Sequence, residues 1–141
     1  MAMASFDEDK ILSILKESKT VAVVGISDKP ERDSYRVANY LRENGYEILP
    51  VNPGIEQWEG LKSYKGLMDI PGDKKVDIVD IFRKSDAVVP IVQEAVKIHP
   101  KTVWMQEGVI NEEAASLAKK NSILVVMDRC MMKEHARIST S

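Results

Sequence analysis

The sequence predicts an α/β fold, a single domain built on a doubly wound, mostly parallel sheet with helices on both faces. Three observations predict it. Short apolar runs rich in β-branched residues recur along the chain, and nearly continuous runs of this kind suit strands covered on both faces. Segments with helical spacing alternate with them, the order that gives a parallel sheet through right-handed crossovers. Glycine, proline and asparagine fall at the joints between the two kinds of segment.

Each element follows in turn. Asp7-Glu8-Asp9 opens a helix to about Lys16 with Ile11, Leu12 and Leu15 on one face, its acidic residues suited to the positive end of the helix. Thr20–Val24 is a strand that stops at Gly25, and a helix follows from about Ser34 to Glu43, closed by Asn44-Gly45. Tyr46–Val51 is the second strand, ended by Asn52-Pro53-Gly54. The segment from Ile55 to Lys75 is irregular, with one short strand expected near Lys62–Tyr64; Trp58 and Tyr64 within it are read as core or as an interface. Val76–Phe82 is the next strand, before a helix from about Ser85 to Ile98. Lys101–Met105 is another strand, Asn111 caps a helix from Glu112 to Lys120, Ile123–Met127 is the last strand, and a short helix spans about Met131–Arg137.

Length and composition bound the function. The 141 residues make one domain by length, residues 1–141 with a core at about 7–137, and a chain of this size buries about two thirds of its unfolded surface. A net charge of −2 argues against a nucleic-acid partner, which calls for a basic excess. The single cysteine, Cys130, excludes an intrachain disulfide and a cysteine-based zinc cluster. Met1–Phe6 does not read as a signal peptide, and no apolar run reaches the ~18–20 residues of a membrane span. A cytoplasmic protein without a membrane partner is expected.

In an open parallel sheet, ligands sit beyond the carboxyl ends of the strands. The five segments there are Gly25–Ser34, Asn52-Pro53-Gly54, Arg83-Lys84-Ser85, Gln106-Glu107-Gly108 and Asp128-Arg129-Cys130, all dense in polar residues and glycine. In the first, Gly25 permits close approach of a phosphate, Ser27 and Ser34 supply hydroxyls, and Lys29 and Arg32 supply charge near a helix start. The dinucleotide fingerprint G-x-G-x-x-G is incomplete, and Asn52 stands where a Rossmann dehydrogenase places an acid on the ribose. Both points count against NAD.

The stretches VAVVGIS with Arg32-Asp33-Ser34-Tyr35, GYEILPVNP, VDIVDIFRKS, TVWMQEGV and DRCMMKEH run in order from Val21 to His135. Together they resemble the Rossmann-like CoA-binding domain family related to the amino-terminal part of the succinyl-CoA synthetase α subunit. The resemblance implies coenzyme A as ligand, lying across the strand tips. It implies Gly25, Ile26 and Ser27 at the pantetheine or pyrophosphate, and Arg32, Ser34 and Tyr35 at the phosphates. Asn52, Pro53, Phe82 and Arg83 would line the adenine end, with Met105, Gln106 and Gly108 completing the groove. The synthetase also needs a phosphorylatable histidine in a second domain, and neither His99 nor His135 lies in a glycine-rich loop of that kind.

The reading is therefore a non-catalytic or regulatory module that binds CoA or acyl-CoA. An NAD(P)-dependent Rossmann enzyme and a scaffold that docks a partner, or a second copy, are the alternatives. Cys130 falls just before the last helix and beside Arg129, a setting in which reactive cysteines occur, and is a candidate for a mixed disulfide with the CoA thiol. A Cys130–His135 pair is the corresponding enzyme reading.

Overall fold

The computed structural model describes residues 2–139, with side chains from Glu8 onward. The acid expected to open the first helix, Asp7, has a side chain outside the described ones; the helix backbone itself runs from Ala2 to Glu17 (α1). Then follow β1 (Thr20–Val24), α2 (Asp33–Glu43), β2 (Glu47–Val51), a two-residue hairpin of β3 (Gln57–Trp58) and β4 (Leu61–Lys62), and β5 (Ile78–Ile81). The chain continues through α3 (Val88–Ile98), β6 (Thr102–Met105), α4 (Glu112–Lys120), β7 (Leu124–Val126) and α5 (Met131–Ser139). Five strands form one parallel sheet in the order β2-β1-β5-β6-β7. The strand expected near Lys62–Tyr64 is instead the β3–β4 hairpin, with Tyr64 making an isolated bridge to Val51.

Alternation along the strands divides the core into two layers. Val21, Val23, Ile78 and Trp104 face Ile11, Leu15, Val37, Leu41 and Met131 of α1, α2 and α5. Ala22, Val79, Ile81, Val103 and Met105 face Val88, Val92 and Ala95 of α3 and Ala114, Ala115 and Ala118 of α4. Alanines on α4 let it lie close to the sheet. Its start is capped as its sequence predicts: the Asn111 Oδ1 accepts from the Ala114 N–H at 2.9 Å. At the opposite rim, the Asp77 carboxylate accepts from the Lys19 and Thr20 N–H groups at 2.8 and 3.0 Å, tying the amino end of β1 to the loop before β5.

The order of strands creates a switch point. The chain leaves β1 through α2 on one face and leaves β5 through α3 on the other, so a crevice opens between their carboxyl ends. Gly25 sits at its root with φ +85°, and a Cβ there would lie 2.3 Å from the Phe82 carbonyl oxygen and 2.9 Å from Arg83 Cδ. The close approach of these two loops, rather than of a ligand, is what demands glycine. Gly45 at the end of α2 also has positive φ, +95°, but open space around it. Gly25→Ala is therefore expected to cost about 2 kcal/mol or more, combining strain with a backbone clash, whereas Gly45→Ala costs about 1 kcal/mol. Urea unfolding of the two variants checks this; equal losses would remove the packing explanation.

Candidate functional site

Two clefts open at the carboxyl ends of the strands. A narrow one of about 370 Å³ is bounded by Val24, Gly25, Val51, Asn52, Pro53, Lys65, Gly66 and Glu94. A wider one of about 550 Å³ lies between the start of α2 and the start of α5, bounded by Asp33, Arg36, Phe82, Lys84, Gln106, Val109, Cys130, Met132 and Lys133. Arg83 belongs to the walls of both. It is the ridge between them.

The loops that form these walls are held by their own polar groups. Ser34 is buried, and its Oγ accepts from the Ser27 N–H at 2.9 Å, while Ser27 Oγ accepts from the Lys29 N–H. The Asn52 amide donates to the Ile26 carbonyl at 2.7 Å and its Oδ1 accepts from the Gly54 N–H, so Asn52 joins the loops after β1 and β2. Trp58, fully buried, donates from Nε1 to the Ser27 carbonyl, and buried Trp104 donates likewise to the Arg129 carbonyl at 2.8 Å. Trp58 is thus core. Gln106 Oε1 accepts from the Met131 N–H that opens α5, and Gly108, at φ +84°, donates its N–H to Asp128 Oδ1. A rim held this way is preorganised, since few of its dihedrals remain to be ordered on binding.

The residues singled out from sequence therefore divide. Asn52, Pro53, Phe82, Arg83 and Gln106 meet at the two clefts, with Gly25 on the wall of the narrow one. Ile26 and Met105 have fully buried side chains packed in opposite core layers, leaving only their main chain to the rim. Arg32 precedes α2 as an exposed residue that bounds neither cleft. Tyr35 points its hydroxyl to Glu59 at 2.6 Å and packs on Trp58 with ring centroids 5.3 Å apart. That hydrogen bond raises the Tyr35 hydroxyl above its ordinary range. Lys65, Glu94, Arg36 and Lys133 are cleft residues that sequence reading missed. Arg36 and Lys133 lie one helical turn from Asp33 and Cys130, a spacing that gave some signal; Lys65 sits in the irregular segment and gave none.

Charge in the clefts is unevenly spent. Lys133 pairs with Glu107 at 3.0 Å and Arg36 pairs with Asp33. Arg83 and Lys84 are exposed, and among the described residues neither side chain has an ion-pair or hydrogen-bond partner. Among the described residues, Arg83 on the ridge, Lys84 in the wider cleft and Lys65 in the narrow one are thus cations with free side chains. Cys130 lies in the wider cleft, 6% exposed, immediately before α5. His135 does not join it: Tyr40 Oη and His135 Nδ1 are 2.8 Å apart, and the imidazole stands edge-on to Tyr40 and Tyr46. Five positions along a helix turn the two side chains about 140° apart. Burial holds the imidazole below its usual range.

Behind the ridge, two residues before Phe82, Asp80 is fully buried in the middle of the sheet, and neither carboxyl oxygen has a hydrogen-bond partner among the described residues. Burial pushes its carboxyl well above the usual range, so it keeps its proton in the folded chain. In the unfolded chain it ionises above about pH 4. The unfolded state then binds fewer protons, so this contribution to stability is full below that pH and is lost as pH rises toward the raised value. Asp80→Asn removes the titration with little change of shape. Unfolding at pH 5 and pH 8 should show the variant gaining on the parent at the higher pH, and parallel pH profiles would contradict a protonated Asp80.

Comparison with known proteins agrees with the fold and extends it. The family profile described as "CoA binding domain" matches residues 19–136. The chain is 39% identical over 127 residues to an uncharacterised protein, YneT, of Bacillus subtilis, covering 90% of this chain and 93% of that one. A solved hypothetical protein of Pyrococcus horikoshii superposes with TM-score 0.89 at 41% identity, covering 94% and 92% of the two chains. An ADP-forming acetate–CoA ligase of Methanocaldococcus jannaschii is 23% identical over 143 residues, and the match covers 94% of this chain but 20% of the ligase. Among the described residues, no helix is long and apolar enough to cross a membrane, and no group of three or more metal-ligating side chains occurs.

Proposed function

The chain belongs to the CoA-binding domain family, and from that premise we propose that it binds coenzyme A, free or acylated, across its strand tips as a non-catalytic or regulatory module. The observation that carries the reading is the Arg83-Lys84 pair, whose side chains have no ion-pair or hydrogen-bond partner among the described residues, with Arg83 on the ridge between the two clefts and Lys84 on the wall of the wider one. Coenzyme A is a polyanion with an adenine at one end and a thiol at the other. Cations at the middle of a two-lobed crevice suit its phosphates, because a charged hydrogen bond is worth more than a neutral one. The narrow cleft, with Asn52 and Pro53, takes the adenine end; the wider one, with Phe82, Val109, Met132 and Cys130, takes the pantetheine arm. Gly25, Ile26, Ser27, Met105 and Gly108 contribute main chain, and Gln106 orients the start of α5 beside the arm. Arg32, just before α2, and Tyr35 in its first turn form the outer flank of the phosphate region, and buried Ser34 shapes it by holding the Ser27 N–H.

Coenzyme A at about 100 times its Kd is expected to add roughly 2.7 kcal/mol of unfolding stability, while NAD(H) adds none. A melting temperature raised by NAD(H) and unmoved by CoA and acyl-CoAs would overturn the reading. Arg83→Ala should weaken CoA binding by about 1.5–3 kcal/mol, the range for charged hydrogen bonds, with a smaller loss for Arg32→Ala. Calorimetric titration of both variants separates them; the reverse order would put the phosphates at the start of α2.

Cys130 deepens the same reading. With the thiol arm in the wider cleft, Cys130 meets oxidised coenzyme A by thiol–disulfide exchange: its thiolate attacks the CoA disulfide, a Cys130–CoA disulfide forms, and one CoA thiolate leaves. Intact-mass spectra after incubation with CoA disulfide should gain one CoA, reversed by a reducing agent and absent in Cys130→Ser. No adduct on the parent chain, or one that persists in the serine variant, would end the idea.

A further inference from the structure

Away from the strand tips, the far edge of the sheet is unfinished. β7 is the last strand in the order, and among the described residues no strand covers its outer side. The Leu124 N–H donates inward to the Lys101 carbonyl at 3.0 Å, so strand alternation turns the N–H and C=O of Val125 outward. Such an edge is a template for pairing with another chain. Here it forms the floor of an open groove of about 610 Å³ walled by Ile11 and Ile14 of α1 and by Ala115 and Lys119 of α4. Leu124, 40% exposed, is in that groove, and it is one of three large apolar side chains exposed among the described residues.

Lys10 and Arg129 also line the groove, Arg129 paired with Glu134 at 3.6 Å, and the charges along α4, which reaches the groove at Lys119, say what fits beside it. Glu112 and Glu113 occupy the first turn of α4, and Lys119 and Lys120 the last. All four are exposed, and among the described residues none of their side chains has an ion-pair or hydrogen-bond partner. A helix acidic at one end and basic at the other is complementary to itself when inverted. We propose that the β7 edge is a dimer interface, pairing antiparallel with β7 of a second copy of this chain and setting α4 antiparallel beside its counterpart.

A two-fold axis normal to the sheet performs both operations at once. It continues five strands into ten, pairs the outward groups of Val125 with those of the other copy, and buries Leu124 from both sides. It also lays each acidic end of α4 against the partner's basic end, as an isologous contact requires. The strand is only three residues long, so the main-chain ladder is short and the helices supply most of the contact. This inference is independent of the ligand at the strand tips.

Sedimentation velocity of the full chain over a wide concentration series tests it, with a limiting mass twice the 15.8 kDa of the chain expected. Leu124→Arg should raise the dissociation constant at least about tenfold, with unchanged circular dichroism. Should that variant fail to fold, the surface charges give the same test without touching the core. Glu112→Lys with Glu113→Lys, or Lys119→Glu with Lys120→Glu, should each weaken the dimer, and an equimolar mixture of the two double variants should associate again. A monomer at every concentration, a dimer indifferent to Leu124→Arg, or double variants that fail to associate when mixed would overturn the proposal. A monomer that binds an added acidic peptide in the groove would overturn it too, in favour of a different occupant.

Discussion

The approach of the β1 and β5 tips is the constraint on which the rest depends. Gly25 passes so close to the Phe82 carbonyl that no Cβ fits between them. Because the two loops touch there and then part to opposite faces, α2 rises on one side and α3 on the other, and a crevice opens at their divergence. The same contact aims Arg83, the residue after Phe82, into the middle of that crevice. One backbone contact thus fixes the root of the crevice and the position of its central cation.

Around this junction, polar side chains are spent mainly on each other. Ser34, Asn52, Gln106 and Asp128 all satisfy loop N–H groups, and the two tryptophans satisfy loop carbonyls from within the core. Buried donors and acceptors left unpaired would be costly, so the loops hold one shape. Against that background Arg83 and Lys84, with Lys65 in the narrow cleft, are cations that no described side chain neutralises. Charge left over at a preorganised cleft marks a ligand more sharply than the number of polar residues does.

The irregular segment has a structural purpose that explains its composition. Its β3–β4 hairpin places Trp58 beneath the first loop, and Tyr64 bridges to Val51 at the end of β2, so the segment shelters the outer side of that strand. The opposite edge, at β7, has no such cover among the described residues. The two edges of the sheet differ because only one of them has a long connection to spare.

All five strands, the helices between them and the Asn111 cap were legible in the sequence, because apolar periodicity and capping act over a few residues. So was the set of strand tips where a ligand would sit, since topology alone brings carboxyl ends together. Which tip residues face the cleft was not legible. Ile26 and Met105 look the same in sequence as Phe82, yet they turn into the core, while Lys65, Arg36 and Lys133 enter the clefts from distant segments. Gly25 was legible as a required glycine but not for its reason, which lies 57 residues away in Phe82. The sequence by itself determined the order of elements and the family, through short-range pattern and ordered motifs. Only the tertiary structure decided which charges remain unpaired and which groups share a wall, because both depend on contacts between segments far apart in the chain.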